Sequence, residues 1–264
     1  MNTVILIPAR YQSSRYPGKP LVQLKGATGE SKPLIQRSVE AARRVKGVSG
    51  VFVVTDDERI AEACAPARVG VIMTSPHCRN GTERCAEALS QLHEPDLVIN
   101  FQGDALLTPA YFVEALVERM KSGDAKVATP AMRLRSIEAK ALQQEEAAGW
   151  VGGTTVVTDP SGDALYFSKR LIPHFPAGAL DGEMSPVKLH VGVYAYRPSA
   201  LATYAATAPS ELEELEGLEQ LRFLAAGIRV AVADVEAPPF ALRELNNPED
   251  VAPIEEALAS AGLE

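Results

Sequence analysis

The first unbroken apolar run, TVILIP at residues 3–8, shows no alternation and ends at a proline, the pattern of a strand buried on both faces. A polar, turn-rich stretch follows. KPLIQRSVEAARRVKG at residues 32–47 then puts Pro33 at a first helical position and Gly47 at a stop. VFVVTD (51–56) and VGVIMTS (69–75) read as strands, with a helix over residues 57–64 between them. GTERCAEALSQL reads as a helix with Thr82 as its candidate N-cap. DLVINFQGD reads as a strand ending at Asp104, and TPAYFVEALVERM as a helix with Pro109 in its first turn. Strands separated by helices of this length predict βαβ units and a mainly parallel sheet, whose ligands bind beyond the carboxyl ends of the strands.

From about Trp150 the rhythm changes. TTVVTDPSGDALYFSK is two strand-like runs around an Asp-Pro-Ser-Gly-Asp turn, a hairpin signal. KLHVGVYAYR (188–197) reads as one strand. SELEELEGLEQLRFLAAG reads as one amphipathic helix, with Ser210 and Glu213 as a capping box and Gly227 as its stop. IRVAVADV is a strand, and Pro248 opens a final helix after Asn247. No repeat, low-complexity segment or linker interrupts the chain. The expected organisation is a single domain, with a core lobe of about residues 1–150 and 227–264 and a second lobe of about 151–226.

Composition narrows the function. The 264 residues are 46% hydrophobic and 23% charged, the profile of an ordinary globular protein. No apolar run approaches bilayer length, and the residues after Met1 read as a core strand rather than a leader, so a cytoplasmic location is expected. Three cysteines without CxxC spacing argue against a disulfide framework or structural zinc site, and His77, His93 and His174 make no ligand spacing. A formal net charge of -8 and a pI near 5.2 make nucleic acid and anionic membrane poor partners. Against that background Arg10, Arg15 and Lys19 gather in one loop after the first strand. The loop lacks GxGxxG and GxxxxGK[ST], which disfavours dehydrogenases and P-loop ATPases. A strand, a flexible loop and three cations around a Pro-Gly turn suit the phosphates of a small anion such as a triphosphate. Asp104, at the end of an apolar strand, suits Mg²⁺.

The wording of that loop, IPARYQSSRYPGKPL, closely resembles the signature loop of CMP-Kdo synthetases, the 3-deoxy-manno-octulosonate cytidylyltransferases. The resemblance continues collinearly through VVTDDERI, NGTERCAEAL, NFQGD, ALYFSK, HVGVYAYR, LEQLR and NPEDV, covering almost the whole chain. It implies a Rossmann-like, glycosyltransferase-A-like α/β nucleotidyltransferase with a mixed, mainly parallel sheet and a small second lobe. The implied reaction joins CTP to an acidic sugar, giving CMP-sugar and pyrophosphate. Ala9, Arg10, Ser13, Arg15 and Lys19 would face the phosphates, and Asn80, Gly81, Thr82 and Arg84 the nucleobase. Arg84 also reads as a plain surface arginine. Gln102, Lys169, His190, Tyr194, Glu219 and Gln220 would face the sugar acid, although Tyr194 with Tyr196 also reads as core packing. Lys19, Arg10 and Asp104 would carry catalysis, and Asp104 with Asn246 would hold Mg²⁺. A homodimer built through the hairpin near residues 154–167 is implied as well.

Departures from the family pattern cluster at the chemistry. Ala105 and Leu106 replace Glu-Pro after Asp104, Asn246 replaces a second metal aspartate, Thr155 a lysine and Lys169 an arginine. SPHCRN precedes Gly81 where the family has Asp-His-Gln-Ser, and residues 27–31 look inserted. These changes leave open a different acid, such as an amino-substituted sugar acid or a phosphonate, or a catalytically impaired nucleotide-binding paralogue.

Overall fold

The computed structural model describes residues 1–13 and 16–264. Arg15, expected at the phosphates, lies outside the described residues. β1 (Thr3–Ala9) leads to a small hairpin, β2 (Gln23–Lys25) and β3 (Ser31–Pro33), and then to α1 (Leu34–Arg43). β4 (Gly50–Thr55), α2 (Glu58–Cys64), β5 (Gly70–Met73), α3 (Gly81–Ala88), β6 (Leu97–Phe101) and α4 (Ala110–Lys121) follow. β7 (Val127–Arg135) and α5 (Ser136–Ala147) precede the hairpin β8 (Thr155–Thr158) and β9 (Ala164–Ser168). β10 (Met184–His190), β11 (Val193–Tyr196), α6 (Pro198–Ala206), α7 (Glu211–Glu216), α8 (Leu221–Ala225), β12 (Val230–Asp234) and α9 (Val251–Ala261) complete the chain.

Among the described residues one sheet runs β5-β4-β1-β6-β11-β7-β10-β8-β9, with β12 added beside β7. β5, β4, β1, β6, β7, β12 and β8 share one direction, and β11, β10 and β9 oppose it, so the sheet is mixed and mainly parallel. Every residue of β1 and β6 is buried, which accounts for their unbroken apolar runs. Ile5, Ile7, Ile99 and Phe101 join the core shared with α1 and α4. Val4, Leu6 and Val98 join the core on the other face, with α3 and α6. Each fully buried side chain of this kind stabilises by about 1.5–3 kcal/mol. No helix among the described residues is long and apolar enough to cross a membrane.

Two expected elements are each broken in two. The strand over residues 188–197 splits at Val191–Gly192: His190 ends β10, and Val193 begins β11 between β6 and β7. The Val191 N–H still donates to the Pro130 carbonyl on β7 at 3.1 Å, and the chain turns where the Val193 N–H donates to the Val191 carbonyl at 2.7 Å. The helix expected over residues 212–224 splits because Gly217 is left-handed (φ 60°), a conformation that terminates a helix. The Leu218–Gln220 bend turns the chain toward the strand ends before α8 begins.

A third apolar cluster lies beside the phosphate loop. Leu24, Leu34, Leu106, Leu107, Leu245, Ile254 and Leu258 pack together, joining the small hairpin, the segment after Asp104 and α9. Leu106, in the second position of the family's Glu-Pro, packs in this cluster, while Ala105 in the first is buried beside the cavity. The apparent insertion at residues 27–31 forms the tip of the β2–β3 hairpin, where the buried Arg37 reaches the Leu24 and Glu30 carbonyls and the Glu264 carboxylate.

Candidate active site

Beyond the carboxyl ends of β1 and β6 lies a cavity of about 920 Å³. Ala9, Arg10, Ser13 and Lys19 enter from the phosphate loop, which closes where the Gly18 N–H donates to the Tyr11 carbonyl at 2.8 Å. Arg59 stacks its guanidinium 3.3 Å from the Tyr11 ring centroid and is itself held on Asp57, fixing the base of the loop. Lys19 forms an ion pair with Asp104, so the loop cation and the expected metal carboxylate meet directly.

Asp104 lies past the end of β6, in a turn closed by the Ala105 N–H donating to the Gln102 carbonyl at 3.0 Å. Ser38 on α1 donates to the Gly103 carbonyl at 2.8 Å from below. A Cβ on Gly103 would sit 2.7 Å from the Pro8 carbonyl oxygen, so only glycine lets this turn approach the phosphate strand so closely.

The helix start beside this turn corrects one expectation. Asn80, not Thr82, is the N-cap of α3: its Oδ1 accepts from the Glu83 N–H at 2.8 Å, while its amide donates to the Tyr204 hydroxyl at 2.9 Å. Thr82 is two positions too late to cap, the second residue of the helix. It is buried beneath the cavity with its hydroxyl 3.0 Å from that of Tyr196, and its N–H donates to Glu219 at 3.2 Å. Asn80, Gly81 and Arg84 line the cavity. Arg84 is buried rather than a surface residue, held by the Thr74 hydroxyl at 2.5 Å and by Asp56 at 3.4 Å.

The same cavity is also lined by Gln102, Lys169, His190, Tyr194, Glu219, Gln220 and Asn246. The Glu219 carboxylate accepts from the Thr82 N–H and from the Gln102 amide at 3.3 Å, linking the helix start to the turn after β6. Withdrawal from solvent holds this carboxyl above its ordinary pKa. His190 is buried with Nε2 2.9 Å from the Thr129 hydroxyl, and burial lowers its pKa to about 3, so the ring is neutral at physiological pH. The Tyr194 hydroxyl donates to Gln220 at 3.2 Å and is both core and wall. Thr155 is not on the wall: its hydroxyl donates to the Arg170 carbonyl at 2.6 Å and accepts from the Ile172 N–H, tying down the chain after β9.

Sequence reasoning missed Arg79 and Arg243, which also line the cavity. Their signal was charge next to a motif, on an acidic chain. Arg10, Lys19, Arg79, Arg84, Lys169 and Arg243 face three carboxylates, Asp104, Glu219 and Glu244, so the cavity suits polyanionic ligands. Cys78 is also on the wall, but burial and the Glu87 carboxylate 3.1 Å away push its thiol up to about 12, which leaves it a poor nucleophile. Among the described residues no group of three or more His, Cys, Asp or Glu side chains is arranged to hold a metal ion. Mg²⁺ commonly takes one or two carboxylates plus substrate phosphates. Asp104 beside the phosphate loop, with Glu244 and Asn246 on the same cavity, fits an ion that arrives with a triphosphate.

The pattern of the cytidylyltransferase family matches residues 4–230. A 3-deoxy-manno-octulosonate cytidylyltransferase of Maricaulis maris is 38% identical, covering 99% of this chain and 99% of its own. An 8-amino-3,8-dideoxy-manno-octulosonate cytidylyltransferase of Shewanella sediminis is 37% identical over 98% of this chain and 99% of its own. A solved CMP:2-keto-3-deoxy-manno-octonic acid synthetase complexed with CTP superposes with a TM-score of 0.84 at 35% identity, covering 99% of this chain and all of that one.

Proposed function

The chain belongs to the cytidylyltransferase family, among the 3-deoxy-manno-octulosonate cytidylyltransferases, and from that premise we propose that it couples CTP to an octulosonate-type sugar acid, releasing pyrophosphate and the CMP-sugar. The observation that carries this reading is the meeting, on one cavity, of the phosphate-loop cations and Asp104 with Gln102, His190 and Gln220. The anomeric hydroxyl oxygen of the acid attacks the α-phosphorus, and the bond from that phosphorus to the leaving pyrophosphate breaks. Arg10 and Lys19 bind the outer phosphates and offset the charge that grows on pyrophosphate. Asn80 and Gly81 hold the nucleobase at the start of α3, whose next two N–H groups are already taken by Glu219 and Asn80. Lys169 faces the carboxylate of the acid, and neutral His190 and the Gln102 and Gln220 amides position its hydroxyls. Holding both reactants in line supplies much of the rate, and no covalent nucleophile is required. Asp104 and Asn246 would hold Mg²⁺, which supplies Lewis-acid polarisation of the phosphate.

CTP is expected to bind more tightly than the other nucleoside triphosphates, because the α3 start and the phosphate loop border one cavity. Calorimetry with all four nucleotides checks this, and equal or tighter binding of ATP or GTP sinks the cytidylyl assignment. A pyrophosphate-release assay with CTP, Mg²⁺ and a panel of sugar acids fixes the acceptor. An 8-amino acid is the second reading, favoured by Glu244 on the cavity wall, a carboxylate suited to an ammonium group, and by a relative with that activity at nearly equal identity. No release with any acid would make the chain a nucleotide-binding paralogue without catalysis.

Asn246 supplies a neutral oxygen where the family pattern has a carboxylate. Asn246→Asp is expected to lower the Mg²⁺ concentration for half-maximal rate several-fold, since a second carboxylate adds charge to the site. An unchanged Mg²⁺ requirement places this position outside the metal shell. The working form is a cytoplasmic homodimer paired through β8 and β9, whose outer edge closes the sheet and exposes Leu165. Light scattering is expected to give twice the 28.2 kDa chain mass, and a monomer at every concentration ends that assignment.

A further inference from the structure

Behind the cavity, and touching none of it, Arg222 on α8 is 1% exposed. Its Nε and Nη2 donate to the two oxygens of Glu213 at 2.7 and 2.5 Å, and its Nη1 donates to Glu83 at 3.1 Å and to the Thr207 carbonyl at 3.3 Å. The guanidinium lies over the Tyr204 ring, 4.0 Å from the centroid, and that tyrosine's hydroxyl receives the Asn80 amide. Glu83 is in turn the residue whose N–H is capped by Asn80, and its carboxylate takes the Arg79 N–H and side chain. Arg222 therefore grips the first turn of α3 with one arm and α7 with the others. It does so two and three residues after Gln220 and Glu219.

We propose that Arg222 is a positioning residue that makes the nucleobase-facing start of α3 and the acid-facing Leu218–Gln220 bend a single rigid unit, and so sets the alignment of the two reactants. The proposal rests on the cytidylyltransferase reading given above. Planarity matters to it: four N–H groups of one fork are used in fixed directions, which an ammonium cannot reproduce. Misalignment between two bound reactants costs chemistry more than affinity, because each half-site can remain intact while the approach of the reacting atoms is lost.

Glu83→Gln removes the charge of the arm to α3 and turns one of its two acceptor oxygens into an amide donor, while the Arg222–Glu213 pair stays in place, so it weakens the bridge and spares the fold better than removal of Arg222. It is expected to lower kcat about tenfold or more while the Kd for CTP stays within about threefold of the parent. Arg222→Lys is expected to fall between parent and Arg222→Met. The double variant Glu83→Gln/Arg222→Lys is expected to lose no more than the worse single one, since both break one bridge. A kcat within twofold of the parent in Glu83→Gln, or losses that add in the double variant, overturns the proposal even if the melting temperature falls. A parent that turns over no acid with CTP refutes the cytidylyltransferase reading instead. In that case amide hydrogen exchange still decides the bridge: Glu83→Gln should raise exchange in both α3 and α8, and a change confined to one overturns it.

Discussion

Asp104→Ala is expected to lower turnover by about 10²–10³-fold, the scale of removing a group that stabilises developing charge. The substitution takes away the carboxylate that forms an ion pair with Lys19 of the loop. It leaves the fold nearly untouched. The pair is partly open to solvent, with side chains 17% and 20% exposed, and pairs of that kind contribute no more than about 1 kcal/mol. The turn itself is kept by the Ala105 N–H and by Ser38, which use backbone carbonyls of Gln102 and Gly103. Steady-state rates across a Mg²⁺ series, with a melting curve beside them, separate loss of chemistry from loss of fold. Near-native turnover at low millimolar Mg²⁺ would show that Asp104 does not serve the metal.

Gly103→Ala is expected to damage both activity and stability, for a reason that lies in the backbone. The added methyl carbon would meet the Pro8 carbonyl oxygen at 2.7 Å, and neither side can turn away. Pro8 is fixed in the middle of the sheet by its register with Val54, and Gly103 is fixed by Ser38. Relief requires the Asp104 turn to move away from the loop that carries Lys19. Overpacking of this sort costs about 1–3 kcal/mol, and a shift of about 1 Å at the reacting groups costs about 10²-fold in rate. Gly182→Ala, where nothing lies within 4 Å, serves as the neutral comparison. Urea midpoints and turnover measured on both variants check the effect. Parent-like values in Gly103→Ala would mean that the close approach has no functional weight.

Where sequence pattern sufficed, the local signal and the tertiary outcome agreed. β1 and β6 were legible because strands covered on both faces need no polar alternation. The place of Arg10 and Lys19 on the cavity was legible because their charges stand out on an acidic chain. The breaks at Gly217 and Val191–Gly192 were not, because each falls inside a run whose periodicity is good on either side. Gly217 carried a usable signal, a glycine within a helical pattern, but Gly227 offered a competing stop. Thr82 was mistaken for a cap because Asn80, a better one, lies just upstream. The buried place of Leu106 and Leu107 depends on α9, far along the chain, and no local window contains it.

The hairpin tip at residues 27–31 ties chemistry to the timing of synthesis. The Lys25 N–H donates to Glu255 across 230 residues, and the Thr28 N–H to Glu264 across 236. Both partners emerge from the ribosome well after the hairpin and the parallel strands. Contacts of such long sequence separation close late, since their chain entropy is lost before any interaction repays it. The wall of the phosphate loop that rests on this hairpin and α9 is therefore finished only after the parallel strands have already paired. A nascent chain holding only the first βαβ units has the cations of the loop but not the α9 packing beside them, so that support is added only once α9 has been made.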